Sequence, residues 1–66
     1  ANWKELLQYG KEKIAEGTDF DLLRMRTGYA AFMLGNYGQS LKQYKKVLDK
    51  DPANSIALYY VYLNSF

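Results

Sequence analysis

Gly35-Asn36-Tyr37-Gly38-Gln39-Ser40-Leu41-Lys42-Gln43-Tyr44-Lys45-Lys46-Val47-Leu48-Asp49-Lys50-Asp51-Pro52-Ala53-Asn54 runs from a turn, through a helix, to a helix stop. Gly35-Asn36 reads as a tight turn, with Gly35 suited to positive φ. Tyr37, Leu41, Tyr44 and Leu48 then recur at the spacing of one helical face. Lys42, Lys45, Lys46 and Lys50 are interleaved on the wet side. Asp51-Pro52 ends the helix, because the residue before a proline avoids helical backbone angles. Asn54 or Ser55 is placed to cap whatever follows.

The pattern extends in both directions. Upstream, a helix is predicted from Asp21 to about Leu34. Leu23, Thr27, Ala30, Ala31 and Leu34 lie on one side of it, and Leu22, Met25, Tyr29, Phe32 and Met33 on another. So wide an apolar arc implies neighbours on two sides. Thr18 or Asp19 is expected to cap it, with Asp21 in the first turn. Further upstream, Trp3, Leu6, Leu7, Gly10 and Ile14 form one helical face, and Gly17 reads as a left-handed cap. Downstream, Ile56 to Phe66 is apolar almost all round, with Tyr59, Tyr60 and Tyr62 among Ile56, Leu58, Val61 and Leu63. No strand-like alternation occurs. The reading is an all-α chain of about four helices, with connections short enough to make antiparallel hairpins.

The window from Asp21 to Asn54 spans 34 residues, the period of the tetratricopeptide repeat (TPR). It resembles that family at several positions. Gly28 stands at the family's small residue in the first helix, and Gly35-Asn36-Tyr37 resembles its turn. Ser40, Leu41 and Tyr44 take the following small and apolar places. Val47-Leu48 resembles its Ala-Leu pair, and Asp51-Pro52 with Asn54 its closing motif. Arg24, Thr27 and Ala31 depart from the family's Trp, Leu and Tyr. The same register makes residues 1–20 a degenerate second helix of a preceding repeat, where Gly10 replaces an aromatic and Lys13 a small residue. Residues 55–66 then become the first helix of a following repeat. The resemblance implies a right-handed superhelix, of which the chain holds one full repeat with a half-repeat on each side. Both ends fall inside continuing patterns, as expected for a piece of a longer solenoid. The Arg24-Met25-Arg26 run and its Asp19-Phe20-Asp21 lead-in resemble TPR segments of exported bacterial proteins, which implies a periplasmic or cell-envelope parent.

Bulk properties bound the chemistry. The chain has 66 residues and a net charge of +2, with neither Cys nor His. Thiolate chemistry, disulfides and imidazole catalysis are therefore excluded. No apolar run approaches the roughly 20 residues a membrane span needs. Ser40 and Ser55 have no His to activate them, and Gly35-Asn36-Tyr37-Gly38 lacks the Lys and Ser/Thr of a phosphate loop. No catalytic, cofactor-binding or metal-binding residue is expected, and the chain is read as a non-enzyme.

In TPR proteins the first helix of each pair lines the concave face. The resemblance therefore implies a partner-binding set of Met25, Arg26, Tyr29, Met33, Tyr59, Tyr60 and Leu63, flanked by Leu22, Phe32 and Ile56. A peptide or partner helix would dock on it. The bland alternative is that these side chains are solenoid core. Met25 and Tyr29 stand where some relatives hold a partner's terminal carboxylate with Lys and Asn, so that activity is not expected. Arg26 is the one charge aimed into the groove. It holds either an acidic group of a ligand or an Asp or Glu of a neighbouring helix. The Lys42, Lys45, Lys46 and Lys50 stripe is expected to be a solvated outer face, with no nucleic-acid role.

The resulting expectation is a protein-interaction scaffold. Its rivals are a structural spacer within a longer solenoid and a self-association module. The second rival rests on the C-terminal helix, whose Val61, Tyr62 and Phe66 are expected to face an absent neighbour.

Overall fold

The computed structural model describes residues 2–65. Among them, all regular structure is helical: α1 (Trp3–Ala15), α2 (Asp21–Met33), α3 (Tyr37–Lys50) and α4 (Ser55–Leu63). Helices this short are marginal alone and depend on packing. Packing is sequential: α2 lies against α1 and α3, and α4 lies against α3.

The local signals explain most of the boundaries. The Asn2, Asn36 and Asn54 side chains each accept a backbone N–H, from Glu5, Gln39 and Ala57 respectively, and so start α1, α3 and α4. Gly17 and Gly35 follow α1 and α2 with φ of +95° and +78°, which favour glycine. Helix α3 stops at Lys50, directly before Asp51-Pro52.

Two expectations change. Helix α2 is not capped by Thr18 or Asp19: its N-cap is Phe20, which makes no side-chain capping bond. Asp19 is taken by cations instead, at 2.6 Å from Arg24 Nε and 3.0 Å from Lys50 Nζ. The second change is at the end of the chain. Helix α4 finishes at Leu63 rather than Phe66, and Asn64 takes the C-cap position. Phe66 lies outside the described residues.

The core is small and built around Tyr44, Val47 and Ala57, with Met25, Leu48, Tyr60 and Val61 packed on it. Thus Val61 packs inward, contrary to its expected outward position. A helix as short as α4 offers few side chains for the α3 contact, and Val61 is one of them. Tyr44 Oη donates to the Met25 carbonyl at 3.1 Å, and its ring stacks on Tyr60 with centroids 4.7 Å apart. A Cβ at Gly28 would stand 2.8 Å from Tyr44 Cε2, so glycine lets the ring lie directly on the α2 backbone. Ser40 is wholly buried. Its hydroxyl accepts from Asn64 Nδ2 at 2.9 Å, which ties the end of α4 to α3.

Gly10 and Thr27 form a second close approach, one the repeat pattern obscured. A Cβ at Gly10 would overlap Thr27 Oγ1 and stand 2.9 Å from both Thr27 Cβ and Cγ2. Thr27 is buried and its hydroxyl donates to the Leu23 carbonyl at 2.7 Å, so it has little room to move. The two residues that depart from the repeat pattern are complementary: a missing side chain on α1 accepts a branched one on α2. Gly10→Ala should therefore destabilise the chain by about 1–3 kcal/mol from overpacking, despite a helix-propensity gain of up to about 1 kcal/mol. Adding Thr27→Ala should recover part of the loss, read from the urea midpoints of the two variants. A more stable Gly10→Ala chain would show that α1 does not sit this close to α2.

Candidate functional site

Helices α1, α2 and α4 surround an open groove of about 570 Å³. Trp3, Leu6 and Tyr9 form the α1 wall. Leu22, Met25, Arg26 and Tyr29 come from α2, and Ile56 and Tyr60 from α4. The helical period explains this set. Trp3 and Leu6 are three apart, as are Leu22 with Met25 and Arg26 with Tyr29, so each pair shares a face. Tyr44 reaches the floor from α3.

An aromatic ladder holds the walls in place. Trp3 meets Tyr29 edge-on at 5.3 Å, and Tyr29 meets Tyr60 at 5.9 Å. Tyr60 also contacts Phe32 at 5.3 Å, Tyr59 at 5.4 Å and the Tyr44 ring. Edge-to-face and offset-stacked rings are the favoured arrangements. Tyr60 is thus both groove lining and the link between α4 and the other helices. Burial pushes the Tyr44 and Tyr60 hydroxyls up from their ordinary range, with neighbouring tyrosines adding to the effect. Both phenols stay neutral around pH 7.

Part of the expected partner-binding set converges here. Met25, Arg26, Tyr29 and Tyr60 line the groove, as do the flanking Leu22 and Ile56. Met33, Tyr59 and Leu63 do not. Met33 and Tyr59 are exposed elsewhere, and Leu63 is half-buried. Met33 is four residues beyond Tyr29, Tyr59 three beyond Ile56 and Leu63 three beyond Tyr60, so each shares helical spacing with a lining residue but lies about one turn beyond it. Trp3, Leu6 and Tyr9 are wall residues that the sequence reading left out. Trp3 and Leu6 carry a signal as part of the apolar face of α1, whereas Tyr9 is not among the residues read on that face. Leu6 and Tyr9 are in fact 47% and 56% exposed.

The two arginines of α2 differ sharply. Arg24 donates to Asp19 and, at 2.9 Å, to Gln43 Oε1, and Gln43 Nε2 donates onward to Gln39 at 2.8 Å. The Arg24 and Lys50 hydrogen bonds hold the Asp19 carboxyl down at about 2. Arg26 is exposed at the groove, and no ion pair among the described residues involves it. The alternative of a partner carboxylate on a neighbouring helix is therefore not realised within these residues.

The outer face of α3 carries Lys42, Lys45 and Lys46, which are exposed beside Leu41, while Lys50 pairs with Asp19. No group of three or more Asp and Glu among the described residues is placed to hold a metal ion. No helix among the described residues is long and apolar enough to cross a membrane. Among the described residues, fold and groove together define an all-α arrangement of sequentially packed helices with an apolar, aromatic-lined groove. Comparison with protein-family models, curated proteins and solved structures finds no match.

Proposed function

We propose that the chain is a TPR-type interaction scaffold that binds an apolar segment of another protein in the groove between α1, α2 and α4. In this reading residues 21–54 are a complete repeat, with residues 1–20 and 55–66 as half-repeats. Gly28 beneath the Tyr44 ring, the helix stop at Asp51-Pro52 and the Asn54 cap all support that register. The observation that carries the function is the groove itself. Its size lies within the range of ligand-binding clefts, its lining is almost entirely aromatic and aliphatic, and Leu22 and Ile56 are 59% and 51% exposed at its rim. Exposed apolar surface of this kind marks interaction sites.

Panning a random peptide-display library against the immobilised chain tests the reading. Peptides selected on the native chain should lose at least about tenfold in affinity for Leu22→Ser with Ile56→Ser. Both residues are more than half exposed, so the fold should persist, as circular dichroism can verify. Lys45→Glu with Lys46→Glu should bind as the native chain does. If the Lys pair abolishes binding and the Leu22/Ile56 pair does not, the outer face of α3 is the binding face.

A further inference from the structure

The groove is apolar with one exception of consequence. Thr27 at its edge spends its hydroxyl on the Leu23 carbonyl, and Tyr44 spends its own on Met25. Among the described residues neither Asp nor Glu lines the groove, and the only ionised lining side chain is Arg26. Two residues earlier on the same helix, Arg24 has a carboxylate and an amide oxygen. Arg26 has no carboxylate partner among the described residues, although the chain is nearly balanced in charge.

Resting on the reading of the groove as a docking site, we propose that Arg26 selects the partner. The preferred occupant is a protein segment with two or more large apolar side chains and an internal Asp or Glu within one helical turn of them. The apolar side chains fill the space between Trp3, Leu22, Tyr29 and Ile56. The carboxylate meets the Arg26 guanidinium, whose planar fork suits two parallel hydrogen bonds to a carboxylate. A guanidinium is more weakly hydrated than an ammonium, so covering it beside aromatic rings costs less than covering a lysine. An apolar segment without an acid would cover the cation and leave it unpaired, which disfavours such partners. Basic segments would be repelled.

The probes are amidated, N-acetylated peptides from the display selection, so that no terminal carboxylate contributes. Selected sequences should be enriched in Asp or Glu beside an apolar pair. Replacing that acid by its amide should weaken binding about tenfold to a hundredfold. R26Q should weaken the acidic peptide by a similar factor and should not weaken the amide version. R26K should fall between, since it keeps charge but loses the fork. Affinity for the acidic peptide should also drop with added salt. Selected peptides that lack an acid, and that bind R26Q as well as native chain, would overturn the role of Arg26. The groove reading would still stand if Leu22→Ser with Ile56→Ser weakened those peptides. If that pair has no effect on any selected peptide, the groove reading fails and this proposal with it. Binding that requires a free peptide C-terminus would also overturn it.

Discussion

Tyr44→Ala is expected to leave the chain largely unfolded in buffer at room temperature. Tyr44 is 1% exposed and is the largest fully buried side chain among the described residues. Its ring is clamped between the Gly28 backbone and the Tyr60 ring, and its hydroxyl is fixed to the Met25 carbonyl. Truncating a buried aromatic costs about 3–5 kcal/mol. A chain this short has only about 3–10 kcal/mol in total. The substitution also removes the surface on which Tyr60 stacks, and with it much of the attachment of α4. Far-UV circular dichroism should show loss of most helical signal. Tyr44→Phe should stay folded, with a loss of about 0.5–1.5 kcal/mol for one hydrogen bond. A folded Tyr44→Ala chain with a near-native urea midpoint would show that the core lies elsewhere.

Ser40→Leu carries the next largest effect. Ser40 is completely buried and its hydroxyl receives the Asn64 amide. A leucine must displace its neighbours, at about 1–3 kcal/mol. It also takes away the acceptor for Asn64 Nδ2, and a buried donor left unpaired costs about 1–3 kcal/mol more. Asn64 Oδ1 is already buried with no partner among the described residues, so the residue has no second bond to fall back on. Ser40→Ala separates the two contributions, since it removes the acceptor without adding bulk. The urea midpoint should fall in the order native, Ser40→Ala, Ser40→Leu. Equal midpoints for all three would remove Ser40 from the helix contact and undo the repeat register.

The helices were legible because each boundary has a local cause. Asn36, Asn54, Gly17, Gly35 and Pro52 act within one turn of themselves, and the apolar spacing acts within one helix. What the sequence did not reveal depends on distance in space. Asp19 could equally cap α2 or pair with a cation, and Arg24 on α2 together with Lys50 from the far end of α3 draws it into pairing. Gly10 and Thr27 each looked like a flaw when compared with the repeat pattern, because their complementarity exists only once α1 crosses α2. Likewise, apolar periodicity identifies a buried face and a ligand-facing one by the same signal. Trp3 and Leu6 therefore read only as part of one helical face, although α1 leaves them beside an open groove. On α2 and α4 the expected binding set is wider than the groove: helical spacing links Met33 to Tyr29, Tyr59 to Ile56 and Leu63 to Tyr60, and does not reveal where along each helix the groove ends.

The most direct test of groove docking is chemical-shift mapping of the isotope-labelled chain titrated with a peptide selected by display. The Trp3 indole, the Tyr29 and Tyr60 rings and the Ile56 methyls report from the walls, and the backbone amides of Lys42, Lys45 and Lys46 report from the opposite surface. The expected result is saturable shifts at the first group with the second unchanged. Shifts confined to Lys42, Lys45 and Lys46, with the groove resonances still, would contradict docking between α1, α2 and α4.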